Sequence, residues 1–318
     1  MAFAARANKI RCEIFVPAGA SLAKIAACKG YGGTVIEGGD TLDDAVAAAH
    51  LRASEADMAF CHPYDDLDVV TGQATLGLEI LNSLRDLRRV IVPLGGGGLA
   101  AGVAVALKLN DPTIEVIAVQ IDSCAPYVNS QVPLGAIVTL ADGIAVKRPG
   151  KITRPLIDQW VDQVVTVSED MVADAMVLLL ERARLVVEGG GAVGVAALLS
   201  GATNPSPTGQ TCVVLSGGNV DMGVLPGLLR RNETRAGRRL ILFARIGDQP
   251  GRLAKLLTNF ADSGANLIEV EHVRDGVSLH VRETGIQIVL EVKGRDHAEQ
   301  VLKNARDMGY ELHDLGSR

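Results

Sequence analysis

The stretch Ile91-Val92-Pro93-Leu94-Gly95-Gly96-Gly97-Gly98-Leu99-Ala100-Ala101-Gly102 reads as a strand that breaks into four glycines and then enters an Ala- and Val-rich helix. Each glycine gives up more backbone entropy on folding than any other residue. Four in a row therefore persist where the backbone needs unusual dihedrals or lies directly against something. A strand-to-helix turn of this kind aims free amides and the positive end of the helix dipole at one spot, which is how a fold holds a phosphate. Residues 95 to 99 are expected to form a phosphate cup.

The cup alone leaves the phosphate's bearer open. No Lys-Ser or Lys-Thr pair follows the glycines, so a nucleoside triphosphate with magnesium is excluded. A dinucleotide fits better, because Gly95, Gly97 and Ala100 match G-x-G-x-x-A and the next strand, Glu115 to Ile121, is followed by Asp122, an acid for a ribose. A turn that only lets a helix pack close to a sheet is the third reading.

Outward from this loop, strands alternate with helices. Residues 2 to 8 read as the last turns of a helix, so the chain starts inside an element. Next come a strand at 11–17, a helix from Ser21 to Lys29, a strand from Gly33 to Ile36, a helix from Thr41, and a short strand ending at Phe60. A helix near Gly72 to Leu84 precedes the glycine-loop strand, and a loop-rich crossing from Gln131 to Pro155 follows the strand at 115–121. A strand from Gln163 to Val167 leads into a long helix reaching Val187, with Ser168 as its cap. Two more glycine sites follow, Glu188-Gly189-Gly190-Gly191-Ala192 at a helix start and Ser216-Gly217-Gly218-Asn219 after the strand Thr211 to Leu215. This alternation implies a mostly parallel sheet with helices on both faces, whose strand ends gather the three glycine sites at one crevice.

Near Arg230 the character changes. The basic run Arg230 to Arg239 reads as a connector, separating a unit of residues 1–230 from one of 238–318. Beyond it the order strand 240–246, helix 250–262, strand 266–273, strand 278–292, helix 295–308 and strand 310–312 is that of a ferredoxin-like split β-α-β module. The 318 residues are 48% hydrophobic and 21% charged, as expected of a globule with two domains. A formal net charge of −6 and 3% aromatics argue against nucleic acid, and no apolar run is long enough for a membrane helix. The opening residues do not read as a signal sequence. Cys12, Cys28, Cys61, Cys124 and Cys212 form no C-x-x-C pair and are read as small hydrophobes in a reducing cytoplasm.

Taken together, the motifs resemble those of the threonine dehydratases, pyridoxal-phosphate enzymes of the tryptophan-synthase-β fold type (fold type II) with a C-terminal amino-acid-binding ACT domain. The stretches that carry the likeness are Pro17-Ala18-Gly19-Ala20 with Lys24, Gly30-Tyr31-Gly32, His62-Pro63-Tyr64-Asp65-Asp66, Gly72-Gln73-Ala74-Thr75 with Glu79, the tetraglycine, Ala141 to Val146, Glu188 to Ala192 and Ser216 to Asn219. They keep the family's order over residues 1 to about 225. Gly247-Asp248-Gln249-Pro250-Gly251-Arg252-Leu253 and Gly264-Ala265-Asn266 are similar to the ACT module's helix and ligand-turn motifs.

The resemblance implies that the amides of Gly95, Gly96, Gly97, Gly98 and Leu99 hold the phosphate of pyridoxal 5'-phosphate. It puts Ser216 opposite the pyridine nitrogen and Glu188 beside the ring. A neutral hydroxyl at that nitrogen makes the ring a weaker electron sink and favours β-elimination over transamination. Gly264, Ala265 and Asn266 are implied as the ACT ligand turn. The family's Schiff-base lysine lies upstream in a Ser-Phe-Lys-x-Arg-Gly motif, and its substrate-carboxylate loop is Ser-x-Gly-Asn-His. Neither is present in these 318 residues, and Lys9, Lys24, Lys29, Lys108, Lys147 and Lys151 sit in no such context. No catalytic residue is therefore assigned, and an N-terminally truncated enzyme is expected, ahead of a degraded gene or a regulatory pseudoenzyme.

Other residues carry plainer readings beside these. His62 and Asp65 read as a loop cap and a turn acid or as rim residues of the site, and Trp160 reads as core or interface. Some relatives bind a divalent cation through an acid where this chain has Gln120, so no metal site is expected. The implied activity is deamination of L-threonine, with serine as a second substrate, to 2-oxobutanoate and ammonia in the case of threonine. An amino-acid-sensing fragment working through its ACT module and a nicotinamide oxidoreductase are the alternatives. A homo-oligomer with an allosteric amino acid is expected.

Overall fold

Val90 to Pro93 and Val116 to Ile121 are buried without interruption. Continuous apolar strands of this kind belong to a parallel sheet covered on both faces. The structure, a computed structural model, describes residues 1–20, 22–129, 137–274 and 279–316. Ser21, the 131–136 part of the expected crossing and residue 278 of the expected strand 278–292 lie outside the described residues. The chain divides into two units, Met1–Asp221 and Met222–Arg318.

The first unit begins with α1 (Ala2–Ala7), β1 (Glu13–Val16), α2 (Leu22–Gly30), β2 (Thr34–Glu37), α3 (Leu42–Glu55) and α4 (Leu67–Ser83). β1 and β2 make a two-stranded parallel sheet. The main sheet has four parallel strands in the order β5-β4-β3-β6, made of β3 (Leu87–Pro93), β4 (Glu115–Ile121), β5 (Gln163–Val167) and β6 (Gln210–Val213). Its helices are α5 (Gly98–Asn110), α6 (Thr153–Trp160), α7 (Glu169–Leu178) and α8 (Gly189–Ser200). Val90, Val92, Leu94, Val103, Leu107 and Val116 centre one core, against which Trp160 packs.

In this unit four expectations change. α4 starts at Leu67 rather than near Gly72, because the Asp66 side chain accepts from Asp68 N and caps it. The loop-rich crossing ends inside α6, whose first residues are Thr153 to Pro155. The helix after Ser168 stops at Leu178, widens into a π turn over Leu179–Ala183 and ends at Arg184, whose φ is +59°. Glu188 N donates to Gly217 O at 3.0 Å, which draws residues 185–188 to the sheet end and out of the helix. The short strand ending at Phe60 is not in a ladder among the described residues, and Met58 N instead donates to Ala53 O at 2.9 Å, closing the end of α3.

The second unit holds α9 (Leu225–Arg235), β7 (Arg239–Gly247), α10 (Arg252–Asp262), β8 (Asn266–Val273), β9 (Glu283–Glu291), α11 (Arg295–Asp307) and β10 (Glu311–Asp314). Most of the run read as a connector is therefore helix, with Leu228 buried and the arginines outside. The antiparallel strand order β10-β7-β9-β8 is that of a split β-α-β unit. Leu242, Leu256, Phe260, Ile286, Ile288 and Val301 build its own core.

Candidate functional site

β3 delivers the glycine loop and α5 carries the chain away from it. Leu94 N donates to Val119 O at 2.9 Å, so the strand is anchored up to the turn. Gly97 then takes φ +101°, a left-handed conformation that a side chain makes strained. The first intrahelical bond is Ala101 N to Gly97 O at 2.8 Å. The N–H groups of Gly98, Leu99 and Ala100 are thus left at the helix end, with no side-chain cap at Gly97. Gly96, Gly97 and Gly98 are buried. A buried, uncapped N-terminus calls for an acceptor from elsewhere, a position suited to an anion.

The loop is braced from behind. Gly96 O accepts from Tyr127 Oη at 3.0 Å and from Thr153 Oγ1 at 2.6 Å. Buried Gln120 donates its amide to Leu94 O at 3.3 Å and accepts from Tyr127 N at 3.1 Å. On its other side Gly96 lies against the Tyr64 ring, where a Cβ would fall 2.2 Å from a ring carbon. Close packing therefore accounts for Gly96. It does not account for the uncapped end of α5.

A cleft of about 470 Å³ opens over this end, lined by Gly95 to Leu99, Gly143, Ile144, Glu188 and Ser216. β6 runs beside β3, and Ser216 follows it into the same cleft that the glycine loop enters. Glu188 sits at the start of α8 with Oε1 against Gly217, where a Cβ would lie 2.2 Å away. Burial pushes the Glu188 carboxyl above the ordinary carboxylate range. Asp142 adds to that rise, while Lys24 and the backbone of Asn219 oppose it. Lys24 Nζ itself pairs with Asp142 Oδ2 at 3.2 Å.

The structure gives His62 and Asp65 scaffold positions. His62 Nδ1 accepts from Tyr64 N (3.2 Å) and Asp65 N (2.8 Å), and burial lowers its pKa. Asp65 accepts from the backbone N–H groups of Lys151 (2.8 Å), Ile152 (2.8 Å) and Thr153 (3.1 Å) at the start of α6. It thereby fixes Thr153, which fixes Gly96 O. Tyr127 and Thr153 carry no signal in the sequence reading, since their contact with Gly96 spans 31 and 57 residues. Among the described residues no group of three or more His, Cys, Asp or Glu is placed to hold a metal ion.

In the second unit, Gly264 (φ +79°), Ala265 and Asn266 join α10 to β8. Their polar groups have partners there. Gly264 N donates to Ala261 O (2.9 Å), Ala265 N to Phe260 O (3.0 Å), and the Asn266 amide to Glu291 Oε2 (3.0 Å).

A parallel sheet whose strand ends bring an uncapped glycine loop and a serine into one cleft suits a cofactor-dependent enzyme. The chain belongs to the family described as pyridoxal-phosphate dependent enzyme, which matches residues 1–217. It is 40% identical over 316 residues to the L-threonine ammonia-lyase of Geobacter sulfurreducens, a match covering 98% of this chain and 78% of that one. The L-threonine ammonia-lyase of Thermotoga maritima is 36% identical, with 99% and 80% covered. Among solved structures, the threonine deaminase of T.th. superposes with a TM-score of 0.64 at 33% identity, covering 70% of this chain and 74% of that one. No helix among the described residues is long and apolar enough to cross a membrane.

Proposed function

We infer that these residues form the cofactor-holding body of a threonine ammonia-lyase, which converts L-threonine to 2-oxobutanoate and ammonia. Serine differs by one methyl, worth about 1 to 3 kcal/mol of discrimination, and is a second substrate. The observation that carries the reading is that Ser216 lines the same cleft as the uncapped start of α5. When bound, pyridoxal phosphate draws electrons from the substrate α-carbon, which makes its proton removable and its β-hydroxyl expellable.

The chain's own part is to hold and orient. The N–H groups of Gly95 to Leu99 donate to the phosphate, with the α5 dipole behind them. The Ser216 hydroxyl meets the pyridine nitrogen without the fixed negative charge of a carboxylate. Glu188, beside the ring, is poised to keep a proton. Residues 1–318 contain no Ser-Phe-Lys-x-Arg-Gly and no Ser-x-Gly-Asn-His, so the covalent amine and the substrate-carboxylate loop are not assigned to this chain.

The second unit is the amino-acid-binding ACT module, a reading supported by its split β-α-β order and by the Gly264-Ala265-Asn266 turn. It provides self-association and an allosteric site. The five free cysteines suit a reducing cytoplasm. Equilibrium dialysis tests the central claim: pyridoxal phosphate is retained more tightly than pyridoxal, and Ser216→Ala weakens retention by about tenfold, one hydrogen bond's worth. Equal retention of the phosphorylated and unphosphorylated forms refutes it. Retention with no product from threonine or serine, together with amino-acid binding in calorimetry, supports a sensing fragment instead.

A further inference from the structure

The Gly96 carbonyl is turned away from the cleft and held there. It accepts from Tyr127 Oη at 3.0 Å and from Thr153 Oγ1 at 2.6 Å, and both of these residues are buried. A carbonyl oxygen has two lone pairs, and both are taken. Neither Tyr127 nor Thr153 lines the cleft that Gly95 to Leu99 open into. In a trans peptide the C=O of one residue and the N–H of the next lie in one plane and point opposite ways. Holding Gly96 O at the back therefore aims Gly97 N–H toward the cleft side. The same device recurs two residues earlier. Leu94 O accepts from Gln120 Nε2 at 3.3 Å, so Gly95 N–H points away from β4. Among the described residues neither Gly95 N–H nor Gly97 N–H meets an acceptor, although Gly97 is buried. A buried amide held in place without a partner is rare, since such groups are otherwise paired.

We propose that Tyr127 and Thr153 are positioning residues for the phosphate, which aim the Gly97 amide into the cleft by clamping Gly96 O, and that Gln120 does the same for Gly95 through Leu94 O. This rests on the reading of the cleft as a pyridoxal phosphate site and deepens it. Glycines leave a loop free to rotate its peptide planes. A rotated Gly96–Gly97 plane would turn a carbonyl oxygen toward the anion in place of an N–H. The clamp opposes that rotation, because it breaks two buried hydrogen bonds at once. The three side chains form one network. Gln120 Oε1 accepts from Tyr127 N at 3.1 Å, and Asp65 Oδ1 accepts from Thr153 N at 3.1 Å, so each donor to the loop is itself fixed. A loop organised before its ligand arrives loses less freedom on binding. If the hydroxyls served the fold alone, their removal would lower stability without changing which ligand the cleft prefers.

The test compares retention of pyridoxal phosphate and of pyridoxal by the 318-residue chain in equilibrium dialysis and takes the ratio as the readout. Thr153→Val keeps the shape and removes the hydroxyl, and Tyr127→Phe does the same at the ring. Each is expected to lower the ratio, by about tenfold for Thr153→Val, as for loss of one hydrogen bond to a charged group. Pyridoxal retention stays within about twofold, because the clamp acts on the phosphate amides. Thr153→Ser keeps the donor and is expected to restore the ratio to within about twofold of the parent. Urea titration of the same variants registers any loss of stability separately. An unchanged ratio in Thr153→Val and Tyr127→Phe overturns the proposal, whatever the urea midpoints do. So does a Thr153→Ser variant that loses as much discrimination as Thr153→Val. Should Thr153→Val fail to fold, Tyr127→Phe alone decides by the same ratio. A parent chain that retains both ligands equally refutes the phosphate cup and the clamp together, whereas a preference kept by parent and variants alike refutes the clamp alone.

Discussion

Replacing Gly96 by alanine tests whether the glycine loop is held by close packing as well as by its ligand. The new Cβ falls 2.2 Å from Tyr64 Cγ and 2.4 Å from both Cδ atoms, where carbon atoms need about 3.5 to 4 Å. The ring has little room to retreat. Its own backbone is pressed on Gly98, whose Cβ would meet Tyr64 O at 2.9 Å, and its ring packs T-shaped with the His62 ring at 4.6 Å between centroids. Overpacking of this kind costs about 1 to 3 kcal/mol. Tyr64→Ala is destabilising by itself, yet in the double variant the clash is gone. The two changes should therefore be less than additive by about 1 to 2 kcal/mol. Trp160 is the chain's single tryptophan and packs on the first unit's core, so urea titration followed by its fluorescence reads that unit. With a slope of about 2 kcal/mol per molar, a 2 kcal/mol loss moves the midpoint by about 1 M. A Gly96→Ala midpoint within about 0.25 M of the parent, or strict additivity in the double variant, refutes the reasoning.

Three further outcomes follow from the same geometry. Gln120→Leu leaves Leu94 O and Tyr127 N without their buried partner and is expected to cost about 2 kcal/mol or more in the same titration. Asp65→Asn weakens the cap on α6 by about 1 kcal/mol at neutral pH. Burial pushes the Asp65 carboxyl up, and the donors at Ile152, Lys151 and Thr153 more than offset this, so its pKa ends below the ordinary value. Its contribution is complete above the unfolded carboxylate pKa and is lost as pH falls through the folded one, so the difference between parent and variant shrinks in acid. Glu188→Gln has the opposite sign. The Glu188 pKa is raised by burial, so the parent loses stability as pH rises from the unfolded carboxylate pKa toward the folded one. The variant is expected to gain on the parent above about pH 4.3 and to match it below, and a constant offset across pH counts against a buried carboxyl.

The α/β alternation, the glycine loop at the end of β3 and the separate C-terminal unit were legible in the residues, because each is written in a local pattern: continuous apolar strands, helical periodicity, a run of glycines. The likeness of residues 188–192 and 216–219 to the family's motifs led to Glu188 and Ser216, and the structure brings both to the glycine loop's cleft. Boundaries were less legible where a neighbour overrides propensity. The helix after Ser168 gives way because Glu188 N is committed to Gly217 O, and Met58 to Phe60 form no strand because a strand exists only with a partner.

By itself the sequence determined that a bare glycine turn ends β3 and opens an apolar helix, since four glycines in a row persist where the backbone needs unusual dihedrals or lies directly against something. Tertiary structure alone decided what holds the cup in place. Tyr127 and Thr153 reach Gly96 O across 31 and 57 residues, and Asp65 fixes Thr153 across 88. It also decided that Glu188 titrates high, because burial is a property of everything packed around a carboxyl and none of that is written beside it in the chain.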